Sequence, residues 1–167
     1  MFWRNLHTMQ AASKINTITL SLLLFLFAGC QNTPPPKTSI QLQSFQQKEF
    51  ETDKKIAFAS VLSVFQDLGY TVKSADLDTG FITASSPTSA GFALFVGQTM
   101  TNTDATAFVE KSSKLNAKIR LNFVKRQKTS SGYGMQGQQD TPIEDPSVYQ
   151  KAFTKIQKAI FVRQNLE

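Results

Sequence analysis

The chain has 167 residues, with 18 basic and 12 acidic side chains and a net charge of +6. A single cysteine excludes an internal disulfide, and a single histidine excludes metal sites built from several His and Cys ligands. This length suits one modest domain with one core, and the mild positive charge is not a nucleic-acid-binding composition.

The N-terminal 29 residues have the organisation of a secretory signal peptide. Arg4, His7 and Lys14 form a basic start. An apolar stretch follows over residues 15–29, shorter than the roughly twenty residues that a membrane-spanning helix needs. We therefore expect residues 1–29 to be a cleaved signal peptide, with an uncleaved signal anchor as the alternative.

Cys30 closes a segment with the sequence Leu-Phe-Ala-Gly-Cys, which resembles the lipobox of bacterial lipoproteins. Phe27 departs from that pattern, because Leu or a similar residue usually stands there. The resemblance implies a covalent diacylglycerol and an N-acyl chain on Cys30. Two or three acyl chains anchor a protein firmly, since each buried CH₂ contributes about 0.8 kcal/mol. By analogy with Gram-negative lipoproteins, Gln31 indicates the outer membrane, with the domain facing the periplasm.

Residues 30–41 are polar and contain three consecutive prolines. Such a composition predicts an extended tether that spaces the folded domain, residues 42–167, from the membrane. We expect the domain to begin with a short strand flanked by Phe45 and Phe50.

The next segment predicts a helix and then a hairpin. Residues 56–68 have apolar side chains at helical spacing, with Asp53 near the start and Gly69 suited to a left-handed C-cap. Two short strands, 70–74 and 81–85, are separated by Asp-Leu-Asp-Thr-Gly, which supplies turn residues.

Residues 87–113 carry the weakest pattern. The apolar run 91–97 predicts either a short helix or a strand, and the polar segment 99–106 predicts a loop. If the apolar run is exposed, it is a contact site for a membrane or partner; if it packs under the sheet, it is core. The three side chains concerned are Phe92, Leu94 and Phe95.

The clearest strand pattern lies over residues 115–125, where apolar and polar residues alternate and predict one buried and one solvated face. The apolar set is Leu115, Ala117, Ile119, Leu121 and Phe123. Residues 128–140 are rich in Gly, Ser and Gln, and predict either the wide turn of a hairpin or a mobile loop.

A last helix is predicted from Pro146 to about residue 165, with Asp145 as its N-cap. Its apolar stripe consists of Tyr149, Phe153, Ile156 and Ile160. The order of elements predicts an α+β fold: a small antiparallel sheet of about four or five strands with two helices packed on one face.

Four segments contain most of the predicted helix caps, turn residues and core residues. They are Phe-Glu-Thr-Asp ending at Asp53, Leu-Ser-Val-Phe-Gln-Asp-Leu-Gly-Tyr ending at Tyr70, Asp-Thr-Gly-Phe-Ile-Thr-Ala ending at Ala84, and Asp-Pro-Ser-Val-Tyr-Gln-Lys-Ala-Phe ending at Phe153. With Ile160-Phe161, they resemble a family of small, functionally uncharacterised lipoproteins of the bacterial envelope. The resemblance covers most of residues 49–86 and 115–163. It implies a topology and no catalytic residue.

Few side chains remain for catalysis once the signal is removed and the cysteine acylated. Loss of His7 and acylation of Cys30 exclude Ser-His-Asp and Cys-His catalysis, and we expect no metal and no cofactor besides the lipid. Asp76 and Asp78 form the one carboxylate pair. They either catalyse a glycosidase-like reaction or act as turn residues that hydrogen-bond to their own backbone.

Seven basic residues and no acidic one occur between positions 111 and 128. Within this segment Lys118, Arg120, Lys125 and Arg126 are candidates for binding phosphate or carboxylate groups of lipid headgroups, peptidoglycan or an acidic envelope protein. The alternative is a solvated strand face whose lysines discourage edge pairing. Nucleic acid is not an expected partner of an exported protein.

The sequence therefore predicts a membrane-anchored periplasmic lipoprotein that acts as a non-enzymatic binding or scaffolding module of the cell envelope. A carboxylate-dependent envelope hydrolase is the alternative.

Overall fold

The computed structural model describes residues 37–93, 97–131, 134 and 136–166, so the predicted signal peptide, Cys30 and most of the predicted tether lie outside the described residues. The described part contains three helices and seven strands: α1 (Ser39–Gln46), β1 (Gln47–Glu51), α2 (Lys54–Asp67), β2 (Thr71–Asp76), β3 (Phe81–Ser85), β4 (Ser89–Ala93), β5 (Gly97–Lys111), β6 (Asn116–Ser130), β7 (Gln136–Pro142) and α3 (Pro146–Gln164).

The strands form one antiparallel sheet around the long β5–β6 hairpin, whose two strands have 15 residues each. Near the hairpin turn, β3 and β2 extend the sheet beyond β5, and β1 pairs with β6. At the other end, β4 pairs with β5 and β7 pairs with β6. We call the end with β1, β2 and β3 the helix-backed half and the end with β4 and β7 the distal half.

The predicted helix boundaries are confirmed by their caps. The N–H of Ile56 donates to Asp53 Oδ1 at 2.8 Å, and the N–H of Ser147 donates to Asp145 Oδ1 at 2.9 Å. Gly69, with φ at +82°, follows α2. A side-chain carboxylate at each N-cap satisfies backbone N–H groups that the helix itself leaves unpaired.

The hydrophobic core lies between the helices and one face of the helix-backed half. The Phe123 ring lies 5.3 Å from the Tyr149 ring and 6.4 Å from the Phe65 ring, centroid to centroid. Tyr149 is buried, and its hydroxyl donates to the Ile143 carbonyl at 2.7 Å. Burial of a side chain of this size contributes about 1.5–3 kcal/mol, so this cluster ties α2, α3 and β6 together.

The α+β class and the two helices on one face are confirmed, but the sheet is larger than predicted. The segment 99–106, expected to be a loop, belongs to β5, and the segment 128–140 contains the end of β6 and most of β7. The described residues of 99–104 and 128–140 include no buried side chain, so the hydrophobic alternation that identifies strands is missing there. Thr99, Thr101 and Thr103 supply the β-branched side chains that favour a strand there.

The structure differs from the sequence prediction at the ends of two elements. Leu115, expected to be buried, is 77% exposed because it precedes the first residue of β6. Helix α1 begins at Ser39, within the segment expected to be tether, and a reciprocal capping box between Thr38 and Gln41 starts it. No residue of α1 is buried, which explains why the sequence shows no apolar stripe there. None of the helices in the described ranges is long and apolar enough to cross a membrane.

Candidate binding face

The face of the sheet opposite the helices is open to solvent, and the strand register shows which side chains it carries. Ile119, Leu121 and Phe123 of β6 are buried under the helices, so the alternate residues of β6 lie on the open face. Residues directly opposite each other in an antiparallel pair share a face. The register therefore places one row across four strands on the open face, consisting of Phe81, Phe108, Arg120 and Gln47.

An aromatic pair marks this row. The rings of Phe81 and Phe108 lie 4.7 Å apart between centroids, and Phe81 is 53% exposed. A large apolar ring exposed at a fixed place on a rigid sheet is available to pack against a ligand or partner.

Arg120 lies directly opposite Phe108 in the ladder and is exposed. Within the described ranges its guanidinium has neither an ion pair nor a hydrogen bond. Its neighbour Lys118 is different, because Lys118 Nζ lies 2.5 Å from Glu110 Oε1. Arg120 is therefore the basic side chain beside the aromatic pair that is available to bind an anion.

Arg126 is already engaged by acidic side chains. Its Nη1 lies 3.0 Å from Asp104 Oδ2 and its Nε lies 3.3 Å from Asp140 Oδ1. Asp104 also accepts hydrogen bonds from Ser85 Oγ at 2.8 Å and Asn102 Nδ2 at 2.9 Å. This network ties four strands together on the open face and neutralises the Arg126 charge.

The four basic candidates thus do not form one patch. Lys118, Arg120 and Arg126 lie on the open face, while Lys125 has the same parity as Phe123 and lies on the other face. Strand β6 has neighbours on both sides, so edge protection does not account for its basic residues. Arg120 remains as the candidate that the geometry favours.

The apolar candidates Phe92, Leu94 and Phe95 are not located by the structure. Strand β4 includes position 92 and pairs with β5, but the Phe92 side chain and residues 94–96 lie outside what is described. Their role as a contact site or as core stays a prediction.

Asp76 and Asp78 have the geometry of turn residues. Asp76 Oδ1 accepts hydrogen bonds from the N–H of Asp78 at 2.9 Å and of Thr79 at 3.4 Å. Hydrogen bonds from Thr79, side chain and backbone, and then from the Asp78 N–H lower the pKa of Asp76 below its usual 3.8. A general acid needs a raised pKa, so this carboxyl favours the turn interpretation. Among the described residues no group of three or more His, Cys, Asp or Glu side chains is placed to hold a metal ion.

The sequence prediction did not identify the aromatic pair. A signal for Phe81 was present, because Ile82 and Ala84 form the buried face of β3 and strand alternation then places Phe81 on the opposite face. Phe108 lies in the segment with the weakest pattern, where the strand itself was not predicted.

No family model matches the chain, and no curated protein matches it. Among solved structures, the chain is similar to a DUF4468 family protein from Bacteroides ovatus. The identity is 10%, the match covers 75% of this chain and 89% of that chain, and the TM-score is 0.38. A likeness of this strength carries no conclusion about function.

Proposed function

We propose that this protein is a lipid-anchored, non-enzymatic binding module of the bacterial cell envelope, which binds an anionic component through the open face around Phe81, Phe108 and Arg120. The observation that carries the proposal is the unpaired guanidinium of Arg120 directly beside an aromatic pair whose Phe81 ring is exposed on the sheet.

The chemistry of this row favours a ligand that joins a phosphate or carboxylate to an apolar or ring-shaped body. The Arg120 guanidinium presents a planar set of donors that matches either anion. The two phenylalanine rings provide apolar surface next to it. The adjacent row of the same face consists of Thr83, Thr106 and Asn122, whose side chains donate and accept hydrogen bonds.

The lipid anchor proposed at Cys30 places this face near such ligands. Acyl chains on Cys30 would hold the domain at the membrane, most simply the outer membrane on its periplasmic side. Phospholipid headgroups and peptidoglycan both carry phosphate or carboxylate groups there. Tethering raises the effective concentration of a binding site, so a modest intrinsic affinity is sufficient.

A binding titration with the lipidated full chain in neutral detergent micelles tests the open face. Soluble peptidoglycan fragments and short-chain phosphatidylglycerol serve as separate probes, which distinguishes the two sources of the anion. Arg120→Gln should weaken binding of the recognised probe about tenfold, because one charge-assisted hydrogen-bonding group is lost. Lys151→Gln, on the exposed side of α3, removes the same charge elsewhere and should leave binding unchanged.

Two results would overturn the open-face assignment: binding of neither probe by the unmodified protein, or equal effects of the two substitutions. The anchor has its own test. A Cys30→Ser protein should incorporate no labelled fatty acid and keep its signal peptide, whereas normal processing of that variant would refute lipidation.

A further inference from the structure

In the described part of the chain, the outer edge of strand β7 has no neighbouring strand. All of its residues, from Gln136 to Pro142, are exposed, and the one strand with which it pairs in the described part is β6. An unpaired edge offers a row of backbone N–H and C=O groups to any strand that can lie alongside it.

The two edge strands of the helix-backed half, β2 and β1, carry features that block such pairing. Strand β2 has a register irregularity at Lys73, and a bulge together with a lysine discourages a neighbouring strand. Strand β1 is short and carries Lys48 and Glu49, and the Gln164 side chain donates to the carbonyl of Glu51 at 2.8 Å. Strand β7 has no lysine, no arginine and no register irregularity.

The backbone groups that point outward from β7 follow from one hydrogen bond. The N–H of Ile143 donates to the carbonyl of Phe123 at 2.8 Å, and these residues are directly opposite in the ladder register. Because antiparallel pairing alternates along a strand, Thr141, Gln139 and Gly137 also direct their backbone groups toward β6. Gln136, Gln138 and Asp140 therefore direct theirs outward.

We propose that β7 pairs with β7 of a second copy of this chain, antiparallel and around a two-fold axis at Gln139. Gln139 is the midpoint of β7, so this register sets all seven residues opposite a partner residue, and the Gln136–Pro142 pairs keep one of two hydrogen bonds because proline has no N–H. It sets Gln138 opposite Asp140 of the partner subunit, where an amide N–H can donate to a carboxylate. A register centred on Asp140 would instead set two carboxylates opposite each other, which is unfavourable.

The same surface on both copies forms this contact, as a two-fold dimer requires. The axis runs perpendicular to the sheet, so the open faces of the two copies lie on the same side of one continuous sheet. The pairing rests on the edge of β7 and is independent of the anion-binding proposal.

Disulfide trapping of the full chain in its membranes tests the pairing and its register. In this register the two copies of position 139 face each other in a non-hydrogen-bonded pair, where Cβ atoms are about 4.5–5.5 Å apart. Under mild oxidation, Gln139→Cys should give about tenfold more disulfide-linked dimer than Gln150→Cys on α3, because pairing raises the local thiol concentration. Thr141→Cys is the register control: it lies on the same face of β7 but opposes Gly137 of the partner subunit.

Equal trapping from positions 139 and 141, or no excess at 139 over 150, would overturn the proposal. The unmodified chain is the baseline: dimers formed by it would report a free Cys30 thiol and so contradict lipidation rather than edge pairing.

A proline substitution separates edge pairing from folding. Gln138→Pro removes an N–H that points outward, so the β6–β7 ladder keeps its hydrogen bonds. Added to Gln139→Cys, it should reduce trapping to the level of position 150 with an unchanged melting temperature. Undiminished trapping would contradict the proposal. If Gln138→Pro lowers the melting temperature, Gln136→Pro is used in its place. Gln136→Pro also removes an outward N–H and should cause the same loss of trapping.

Discussion

The helix-backed and distal halves share one continuous β5–β6 ladder but differ in what lies against it. In the helix-backed half, Ala105, Ala107 and Val109 of β5 are buried beneath α2 and α3. In the distal half β5 has no buried residue, and every residue of β7 is exposed. The same pattern of backbone hydrogen bonds is therefore packed against a hydrophobic core in the helix-backed half and lacks one in the distal half.

A strand ladder and a stable fold are therefore separate properties. Hydrogen bonds contribute a modest net free energy, about 0.5–1.5 kcal/mol each, because unfolded groups bond to water. Burial of apolar side chains supplies most of the driving force for folding. We expect the helix-backed half to carry the free energy of unfolding and the distal half to open without unfolding the core.

The largest expected contrast comes from truncations in one strand. Phe123→Ala should lower the free energy of unfolding by about 3–5 kcal/mol, because it leaves a cavity beside Phe65 and Tyr149. Gln127→Ala, four residues along β6, should lower it by less than about 0.5 kcal/mol. Urea denaturation measures both, and similar costs would show that the distal half is part of the cooperative core.

Two glycines with matched geometry give the next contrast. Gly80 and Gly97 have φ of +84° and +92°, and a Cβ would lie 2.1 Å from the Val109 carbonyl oxygen and 2.3 Å from that of Ser130, respectively. Gly80→Ala should lower the free energy of unfolding by about 2 kcal/mol or more, since an alanine would be strained in this turn, which packs on the helix-backed half.

Gly97→Ala should cost less than half as much as Gly80→Ala, because distal strands can separate locally to relieve the clash. Thermal unfolding of the two variants measures the loss of stability in each. A larger loss for Gly97→Ala than for Gly80→Ala would contradict the expected difference between the two halves.

A stabilising substitution is expected in the helix-backed half. Ser60 is fully buried in α2, and its hydroxyl has no hydrogen-bond partner in the described part of the chain. Ser60→Ala should raise the free energy of unfolding by about 1 kcal/mol, because it removes an unsatisfied buried group. Ser63→Ala is the matched control in the same helix, since Ser63 Oγ accepts a hydrogen bond from Arg163 Nη2 at 2.5 Å. Destabilisation by Ser60→Ala greater than by Ser63→Ala would contradict this assignment.

The smallest expected effect concerns how the free energy of unfolding depends on pH, and it arises at the N-cap of a helix in the helix-backed half. Hydrogen bonds from Ser147 hold the pKa of Asp145 below its usual 3.8. A lowered pKa in the folded state stabilises the protein above the unfolded value, and this contribution disappears as pH falls through the folded value.

Asp145→Asn keeps a capping oxygen but cannot titrate. Its free energy of unfolding should therefore be lower than that of the unmodified protein near neutral pH, and this difference should shrink as pH falls below the unfolded value of 3.8. Urea titrations at a series of pH values measure this, and an unchanged acid dependence would show that Asp145 is not responsible.

Sequence patterns predicted most of the elements that bury side chains, but not β5, in which Ala105, Ala107 and Val109 are buried. The α2 and α3 helices have apolar stripes and side-chain caps, and β6 alternates regularly from Ala117 to Phe123, so each was predicted with its face. Helix α1, the first half of β5 and strand β7 have no fully buried residue, so their secondary structure left no hydrophobic period in the sequence. The two strands form because the neighbouring strand β6 offers a ladder, which is tertiary information.

The candidate binding face was predictable only in part, because the sequence shows alternation within a strand but not contacts between strands. Strand alternation placed Lys118 and Arg120 on one solvated face. It could not show that Glu110 pairs with Lys118 or that Asp104 and Asp140 pair with Arg126, because those contacts come from neighbouring strands.

Native-state hydrogen exchange along β6 tests the difference between the two halves most directly. The amides of Arg120 and Asn122 and those of Arg126 and Lys128 all lie in the same β5–β6 ladder. The first pair should exchange only through global unfolding. The second pair should exchange through local opening, at a free energy about 2 kcal/mol or more below the global value, and Phe123→Ala should leave that local value unchanged. Equal protection of all four amides, falling together in Phe123→Ala, would contradict the account.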